Sequence, residues 1–409
     1  MIDEIIKSKN LIERRFYTEK ITPFIDKDII KVITGQRRVG KSYILFQLIN
    51  EIKKQNPQAN VIYINKELKP FEQITDDDLL YRYIKQSLSN EEKNYLFVDE
   101  IQDIANFEKA LRSLLAEGVC DIFITGSNAN LLSGELATFL AGRYVEFTIH
   151  TLNYVEFLQF FSLENTSENL NKYINIGGMP YIKTIGLDET QVFEYLKNVY
   201  ASILLRDVVS RENIRNVRFL ENLVEYLADN IGNLFSASNI SKYLKSQQTK
   251  VTPQLVINHL KALNNAFFIH KVGRYDIKGK RLFEFGEKYY FEDIGLRNAI
   301  RGFNYQSDIG KVIENLVFNH LTGCGYNVFV GQLDAEEIDF IAEKNGSKIY
   351  IQVAYVIADE RTREREFGNL LKIDNNYPKY VVTMDNFTVG NNYNGVEQIH
   401  LKDFLSKRI

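Results

Sequence analysis

The feature that most constrains this chain is a glycine-rich stretch that lies between two apolar runs. It reads Gly35-Gln36-Arg37-Arg38-Val39-Gly40-Lys41-Ser42, which has the spacing G-x-x-x-x-G-K-S. The apolar run at 29–33 predicts a short buried strand before it, and the run at 43–49 predicts a helix after it. A strand, a glycine loop and a helix in this order form a cradle for phosphate groups. The sequence therefore predicts a nucleoside triphosphate site, with ATP and Mg²⁺ as the expected cofactors.

Each position of this loop has an expected task. The glycines allow successive backbone N–H groups to point at phosphate oxygens, and the following helix adds its positive end. Lys41 is expected to reach the β- and γ-phosphates, and Ser42 is expected to offer its hydroxyl to Mg²⁺. The predicted nucleotide-binding residues are Gly35, Gln36, Arg37, Arg38, Val39, Gly40, Lys41, Ser42 and Tyr43.

A second motif consists of two carboxylates that follow the apolar run Tyr95-Leu96-Phe97-Val98. Asp99 and Glu100 would lie at the carboxyl end of a strand, where ligands bind in parallel sheets. Asp99 is expected to hold Mg²⁺ together with Ser42, and Glu100 is expected to act as the general base that polarises the attacking water. The pair favours a hydrolytic enzyme over one that only binds ATP.

Two further positions carry weaker predictions. Ser127 and Asn128 follow the apolar stretch 121–126 and could position the attacking water, or they could form a plain turn. Arg143 precedes the next predicted strand, at 144–147, and could sense the γ-phosphate in cis or reach a neighbouring subunit. A structural ion pair is the alternative for Arg143.

Taken in order, these motifs resemble the AAA+ class of P-loop ATPases. More narrowly, they resemble a bacterial and archaeal group whose core begins G-x-R-x-V-G-K-[ST] and whose second motif is Val-Asp-Glu-Ile-Gln. The second motif is here Val98-Asp99-Glu100-Ile101-Gln102. The resemblance covers most of the chain and implies an AAA+ core with a parallel sheet, a helical lid, ATP hydrolysis and a candidate homo-oligomer. Within the lid, Arg206 and Arg211 could supply an arginine in trans or form a charged helix face.

Composition bounds what else the chain can be. Its 409 residues predict two to four domains, and a net charge of −3 excludes a protein that is polybasic throughout. Two cysteines far apart in sequence give no disulfide framework and no zinc site, which suits a reducing cytoplasm. No apolar stretch is long enough to predict a membrane span. We therefore expect a cytoplasmic α/β protein with no membrane partner.

The predicted domains are an ATP-binding core at 1–150, a helical lid at 151–230, a winged helix-turn-helix at 231–304 and a nuclease-like α/β domain at 305–409. Residues 236–290 hold ten Lys/Arg against three acids. Thr252 and Pro253 suit the start of the second helix, and 267–269 with 281–285 reads as a hairpin that carries a basic wing. The residues expected to contact double-stranded DNA are Lys261, Arg274, Lys278, Lys280 and Arg281. A protein-binding winged helix is the alternative.

The last predicted domain resembles the restriction-endonuclease-like, PD-(D/E)XK-type fold. The resemblance assigns its acidic positions to Glu314, Asp339 and Gln352, but Ala354 stands where the fold has a lysine. Lys348 or Arg361 could substitute. Because the transition-state charge would otherwise lose its stabilising cation, we favour a degenerate nuclease fold over an active one.

The predicted function is therefore an ATP-hydrolysing AAA+ ATPase that is DNA-associated. Hydrolysis is expected to move the winged helix and the nuclease-like tail. The alternatives are an ATP-dependent nuclease, and a signalling or scaffold ATPase whose winged helix binds protein.

Overall fold

The computed structural model describes residues 11–129, 140, 142–246, 252–282, 286–385 and 391–407, with isolated positions 4, 6 and 9. The chain forms two compact units. The first contains Met1–His150 with Asn265–Phe267, and the second contains Thr151–Asn264 with Phe268–Ile409. Among the described residues, no helix combines the length and the apolar character that crossing a bilayer requires.

The first unit is built on a five-stranded parallel sheet, so the predicted parallel α/β core is confirmed. Its strand order is β2-β3-β4-β1-β5. The strands are β1 Ile30–Thr34, β2 Asn60–Asn65, β3 Asn94–Asp99, β4 Asp121–Gly126 and β5 Tyr144–Thr148. The helices are α1 Arg15–Ile21, α2 Lys41–Gln55, α3 Asp77–Ser87 and α4 Phe107–Glu117.

Apolar side chains cover both faces of this sheet, as a parallel sheet requires. Val32 and Val98 pack into the core on one face, and Ile33 and Phe97 pack into the core on the other. Strand β1 is buried along its whole length. Its one charged side chain, Lys31, forms a buried ion pair with Asp121.

The strand order determines what meets at the carboxyl edge of the sheet. Strand β4 lies between β1, which leads into the phosphate loop, and β3, which ends at Asp99. The ends of β1 and β3 are therefore about 10 Å apart, two strand spacings. The register also aligns Asn65 with Asp99, and Ile124 with Val98. Side chains from β2, β3 and β4 therefore lie close together at the edge of the sheet where β1 leads into the phosphate loop.

In the second unit, helices predominate from 153 to 230, which confirms the predicted helical stretch. Asn153 caps its first helix through a capping box with Glu156. The helices before the sheets are α5 Tyr154–Phe161, α6 Ser167–Ile176, α7 Ile182–Ile185, α8 Glu189–Ser202, a π-helix at Ile203–Ser210, α9 Val217–Asp229, α10 Ala237–Ser246 and α11 Pro253–Asn265. The helices that lie between or after the strands are α12 Ile294–Arg301, α13 Tyr305–Gly323, α14 Glu360–Leu371 and α15 Leu401–Phe404.

The strands of this unit form a two-stranded sheet, β6-β9, and an eight-stranded sheet of order β14-β15-β13-β12-β11-β10-β7-β8. They are β6 Ile269–Val272, β7 Arg274–Asp276, β8 Arg281–Leu282, β9 Lys288–Phe291, β10 Asn327–Leu333, β11 Glu336–Lys344, β12 Ser347–Val353, β13 Lys379–Thr383, β14 Asn392–Tyr393 and β15 Val396–His400.

The predicted hairpin between 267–269 and 281–285 is wrong. Strand β6 pairs with β9, so Ile269 lies opposite Phe291. Strand β8 pairs with β7, and β7 continues in parallel into β10. The segment predicted as a wing is therefore joined by hydrogen bonds to the sheet of the C-terminal α/β region. The predicted start of the second helix is confirmed, because Leu255 N donates to Thr252 Oγ1 at 3.3 Å.

The Gly177-Gly178 turn is a site of close packing within the second unit. A Cβ atom on Gly177 would lie 2.5 Å from an oxygen of Asp293, and one on Gly178 would lie 2.2 Å from the carbonyl oxygen of Leu152. Gly178 N donates to Asp293 Oδ2 at 2.8 Å. Burial nevertheless raises the pKa of Asp293 to about 6. Both glycines therefore allow a contact that any side chain would prevent.

Candidate functional site

The phosphate loop has the backbone that its glycines suggested. Gly35 has φ +140° and Gly40 has φ +97°, values that L side chains rarely adopt. A Cβ atom on Gly35 would lie only 2.2 Å from the carbonyl oxygen of Ile149. Helix α2 begins at Lys41, so the N–H groups of its first turn face the loop. This geometry forms a concave backbone surface suited to an anion.

Lys41 points back over the loop rather than into solvent. Its side chain is 4% exposed, and its ammonium group lies 3.6 Å from Glu100 Oε1. The same nitrogen donates to the carbonyl oxygens of Gly35, at 3.1 Å, and Gln36, at 3.0 Å. Neutral carbonyls are weaker partners for a buried cation than phosphate oxygens. Lys41 can therefore exchange these contacts for the phosphates of a bound nucleotide.

Asp99 lies at the centre of a buried polar group at the end of β3. Its Oδ1 accepts a 2.5 Å hydrogen bond from Thr125 Oγ1, and its Oδ2 accepts one from the Tyr63 hydroxyl at 3.2 Å. Burial raises the pKa of Asp99, while hydrogen bonds from Ser42 and Thr125 lower it. A carboxylate and a serine hydroxyl are hard oxygen donors of the kind that Mg²⁺ prefers. Ser42 and Asp99 thus fit the predicted metal pair.

Glu100 is held in place from several sides. Its backbone has φ +57°, which turns the chain sharply after β3. Its carboxylate accepts hydrogen bonds from Ser127 Oγ at 3.1 Å and from Gln102 Nε2 at 2.5 Å. The predicted base and Ser127 are therefore in direct contact. Asn128 follows at the same edge and is half-buried.

The sequence reading missed Thr125 and Tyr63, which organise the two carboxylates. Thr125 donates to Asp99 and accepts a 3.0 Å hydrogen bond from Glu100 N. The strand register could have revealed it, because Thr125 follows Ile124, the partner of Val98. Tyr63 belongs to β2, which lies on the other side of β3.

Arg14 is a further buried residue that contacts the phosphate loop. It is 3% exposed, and its guanidinium donates to the carbonyl oxygens of Val39, at 2.9 Å, and His150, at 3.0 Å. Arg14 therefore ties the segment before β1 to the phosphate loop. Its signal in sequence was only a basic residue ahead of the first strand.

The remaining loop residues differ in exposure. Gln36 is fully buried, and neither polar atom of its side chain forms a hydrogen bond within the described part of the chain. Val39 is buried, whereas Arg38 and Tyr43 are exposed. Arg37 is largely buried, with its guanidinium 3.3 Å from Glu67 Oε1. The orphaned amide of Gln36 is consistent with a loop that binds a polar ligand.

Residues 27–158 match the AAA domain family AAA_14, and residues 167–307 match a domain of unknown function, DUF8612. An uncharacterized protein of Haemophilus influenzae is 38% identical over 97% of this chain and 99% of its own length. One of Methanocaldococcus jannaschii is 34% identical over 92% of this chain and 88% of its own. The chain belongs to the family of these two proteins. Its first unit contains an AAA domain.

Several solved structures of AAA+ proteins are also similar to the chain. Aeropyrum pernix Orc1 in complex with DNA matches at TM-score 0.35 and 8% identity, over 71% of this chain and 93% of its own. Pyrobaculum aerophilum Cdc6p matches at TM-score 0.32 and 12% identity, over 77% and 98%. AMPPCP-bound DnaA of Aquifex aeolicus matches at TM-score 0.30 and 16% identity, over 63% and 90%. At TM-scores below 0.5, these likenesses say nothing about the activity of this chain.

Arg143 lies at the opposite edge of the AAA domain's sheet from the phosphate loop. Ile30 N donates to Arg143 O at 3.1 Å, and Ile30 lies opposite Tyr144 at the amino ends of β1 and β5. The carboxyl edge is about 16 Å away, five residues along each strand. An arginine side chain does not span that distance, so the expected cis role of Arg143 is wrong. Its role toward a neighbouring subunit stays a prediction.

In the second unit, acidic partners offset much of the predicted basic surface. Lys271 pairs with Glu287 at 2.5 Å. Arg274 donates to Gln332 Oε1 at 2.5 Å and is only half-exposed. The predicted DNA-contacting residues that remain exposed are Lys261, Lys278, Lys280 and Arg281. Two of these also have acidic partners, since Lys278 lies 2.5 Å from Asp334 and Arg281 lies 3.7 Å from Asp276.

The three positions of the predicted degenerate nuclease site come together in the second unit. Asp339 and Gln352 are neighbours across β11 and β12, and Asp339 N donates to Gln352 Oε1 at 3.4 Å. Asp339 Oδ2 accepts from Val353 N at 2.8 Å. Burial raises the pKa of Asp339 well above its usual range, and the nearby charges of Glu314 and Glu366 raise it further.

The cation beside these acids comes from a segment that the prediction had not considered. Lys288, at the start of β9, is 3% exposed and lies 3.0 Å from Glu314 Oε1 and 2.7 Å from Glu337 Oε1. We call Lys288, Glu314, Glu337 and Asp339 the tail cluster. The suggested substitute Lys348 instead pairs with Glu343 at 3.4 Å. It precedes Gln352 by four residues on one strand, about 13 Å.

Proposed function

We propose that the AAA domain binds and hydrolyses ATP. This proposal rests on the contacts at the carboxyl edge of the sheet. Lys41 lies 3.6 Å from Glu100, and the Thr125 hydroxyl forms hydrogen bonds with both Asp99 and the backbone N–H of Glu100. The loop would bind the triphosphate through its N–H groups and Lys41. Glu100 would take a proton from water as the new O–P bond forms and the bond from Pγ to the leaving ADP oxygen breaks. The products are ADP and inorganic phosphate.

The oxygen ligands for Mg²⁺ would be Ser42 and Asp99, and the bound ion would neutralise charge on the phosphate oxygens. Thr125 and Tyr63 keep Asp99 oriented, since both donate to its carboxylate. Ser127 and Gln102 do the same for Glu100. The site thus uses fixed hydrogen bonds to hold both carboxylates before the substrate arrives.

Glu100→Gln tests this assignment. The amide keeps the shape of the side chain but cannot accept the proton, so turnover should fall by about 100-fold or more. Binding of a fluorescent ATP analogue should remain. Normal turnover by Glu100→Gln would show that another group is the base, and absence of turnover in the unaltered chain would contradict the proposed activity.

We further propose that the chain associates with double-stranded DNA through the exposed basic residues of the second unit. The support is the placement of Lys278, Lys280 and Arg281 on one short exposed hairpin, with Lys261 exposed on α11. The ion pair of Lys278 with Asp334 is exposed, and such pairs are weak enough to exchange for phosphate. ATP turnover would then move this surface.

Charge reversal tests the DNA proposal. Lys278→Glu combined with Arg281→Glu should abolish retention on duplex DNA, and retention by the unaltered chain should weaken steeply as salt increases. Lys69→Glu, at an exposed position of the first unit, is a matched control. Unchanged DNA retention by the double variant would favour the protein-binding alternative.

A second candidate function is metal-dependent hydrolysis of phosphodiesters by the tail cluster. Lys288 favours it, because it supplies the cation that Ala354 does not. One buried oxygen of Glu366 also forms no hydrogen bond within the described residues. Together, Asp339 and Glu366 offer oxygen ligands suited to Mg²⁺, which would activate water when bound. Mg²⁺-dependent cleavage that is lost in Asp339→Ala would support this function, and no cleavage across metals and substrates would contradict it.

A further inference from the structure

Arg37 is a second cation inside the phosphate loop. It precedes Lys41 by four residues, and its side chain is 9% exposed. Its Nη1 lies 3.3 Å from Glu67 Oε1. A guanidinium cannot lose its charge by deprotonation, so burial of this side chain requires anionic or polar partners. Glu67 is one such partner of Arg37.

Glu67 comes two residues after the end of β2, and that end lies beside Asp99, although Asp99 is 32 positions later in the sequence. Strand β2 ends at Asn65, which is aligned with Asp99 on β3. The next residue, Lys66, donates its backbone N–H to Asp99 O at 3.3 Å. The guanidinium of Arg37 thus extends from the loop after β1 toward the ends of β2 and β3. It lies on the side of the loop that holds the two predicted catalytic carboxylates.

Glu67 is a weak partner compared with a phosphate. Its side chain is 51% exposed, and exposed ion pairs contribute little because water competes for both charges. A terminal phosphate group carries more charge and matches the planar guanidinium with two oxygens at once. A bound nucleotide would therefore compete with Glu67 for the guanidinium of Arg37.

We propose that Arg37 is a catalytic arginine that stabilises the γ-phosphoryl group of ATP in cis, with Glu67 as its resting partner. The inference rests on the proposed ATP hydrolysis. As the bond from Pγ to the ADP oxygen breaks and the water oxygen bonds to Pγ, negative charge is spread over the three other oxygens of the transferred group and increases on the leaving oxygen. Lys41 and Arg37 would stabilise this charge from two sides. Arg206 and Arg211 of the second unit are then not needed as a trans arginine.

Arg37→Ala should lower kcat by roughly 100- to 1,000-fold, the usual effect of removing one transition-state donor. The affinity for an ADP analogue should change by less than about fivefold, because ground-state binding depends mainly on the loop N–H groups and Lys41. Arg37→Lys should recover part of the rate, since lysine restores the positive charge but not the paired N–H donors of the planar guanidinium. Lys69→Ala, which removes an exposed cation of the same unit, is the control for general charge loss.

Transition-state mimics separate catalysis from a purely structural role. The unaltered chain should trap ADP with aluminium fluoride and Mg²⁺, whereas Arg37→Ala should bind ADP but fail to trap the complex. If Arg37 only supports the fold, ADP binding and trapping should fall together. That result would overturn the proposal, as would unchanged trapping by Arg37→Ala.

Mixing two inactive variants separates cis from trans action. Glu100→Gln retains Arg37, and Arg37→Ala retains Glu100. If Arg37 acts in cis, an equimolar mixture should stay as inactive as its components at every protein concentration. Recovered turnover would show that Arg37 acts on a neighbouring subunit. If the unaltered chain hydrolyses ATP and Glu100→Gln does not, but Arg37→Ala matches the unaltered chain, only the arginine proposal fails.

Discussion

Lys41 and Lys288 are buried lysines beside carboxylates, one in each unit, yet their ammonium groups are held differently. Lys41 donates to two neutral carbonyls of its own loop and stays 3.6 Å from Glu100. Lys288 lies within 3.0 Å of two carboxylates, those of Glu314 and Glu337. Lys41 is therefore placed to bind an incoming anion, whereas Lys288 neutralises acids that the chain already carries. Burial of a lysine therefore does not by itself indicate what the lysine binds.

The two sites also differ in the contacts that removal of the lysine would eliminate. Removal of Lys41 frees two carbonyl oxygens and eliminates one ion pair, the 3.6 Å contact with Glu100. Removal of Lys288 leaves Glu314 and Glu337 without their cation, and Asp339 already has a raised pKa because it is buried next to Glu314. A cation that balances several buried or partly exposed acids should matter for stability, and a cation that can bind a ligand should matter for activity.

The largest expected effect follows directly. Lys288→Met should reduce the stability of the second unit by about 3–5 kcal/mol, because the buried Asp339 and the partly exposed Glu314 and Glu337 would lose the cation that lies beside them. Lys41→Met should change the stability of the first unit by less, about 1–2 kcal/mol, because its partners are two neutral carbonyls and one ion pair at 3.6 Å, while ATP turnover should be abolished. Hydrogen exchange of the β3, β9 and β11 amides measures both units separately. Equal destabilisation by the two variants would remove the distinction between them.

The next effect is the pH dependence of stability that His320 is expected to produce. His320 lies on the same helix as Glu314. Burial lowers the pKa of His320 to about 4. The folded state therefore holds a neutral imidazole, while the unfolded chain binds a proton below about pH 6.5. Stability from this group is present above pH 6.5 and is lost as the pH falls toward 4, by about 3 kcal/mol in total.

His320→Leu tests this sign. The difference in unfolding free energy between the variant and the unaltered chain should shift in favour of the variant as the pH falls from 6.5 to 4. Urea denaturation of the second unit at several pH values measures it. If the difference does not vary with pH, His320 does not titrate on unfolding. In the AAA domain, no such shift is expected from this substitution.

A smaller effect is expected from removal of the hydroxyl groups that orient carboxylates in the two sites. Thr125→Val removes the hydrogen bonds to Asp99 and Glu100 and should lower kcat by about 10- to 100-fold, since bonds to charged groups contribute about 1.5–3 kcal/mol. Tyr290→Phe removes a 2.6 Å bond to Glu314 and should reduce stability without affecting ATP turnover. Thr125→Ser is the control that keeps the hydroxyl. Equal turnover by Thr125→Val and Thr125→Ser would show that the hydroxyl has no role in orienting the carboxylates.

How far sequence could predict these sites follows from how their residues are arranged along the chain. The loop from Gly35 to Ser42 is contiguous, and Asp99-Glu100 directly follows an apolar strand, so both motifs could be read locally. Thr125 and Tyr63 reach Asp99 only through the register of neighbouring strands. Their roles depend on strand order, which the spacing of apolar residues does not specify.

The second unit shows the same limit more strongly. Lys288 and Glu314 are 26 residues apart and meet only through tertiary packing. The hairpin prediction failed because β7 finds a partner in β10, a strand that the sequence reading had placed in another domain. The missing lysine at Ala354 was a correct observation, but a cation can enter a cluster from any neighbouring element. The resemblance to the nuclease-like fold therefore assigned Glu314 and Asp339 but not the lysine that lies beside them.

The smallest expected effect concerns Lys278, whose ion pair resembles that of Lys288 in length but not in burial. Its ammonium lies 2.5 Å from Asp334, yet both side chains are more than 60% exposed, at 63% and 66%. Water solvates either charge when the pair breaks, so Lys278→Ala should cost less than about 1 kcal/mol. Measured by urea denaturation beside Lys288→Met, it separates the contribution of distance from that of burial. A cost for Lys278→Ala as large as that for Lys288→Met would mean that the short distance, rather than burial, determines the strength of these pairs.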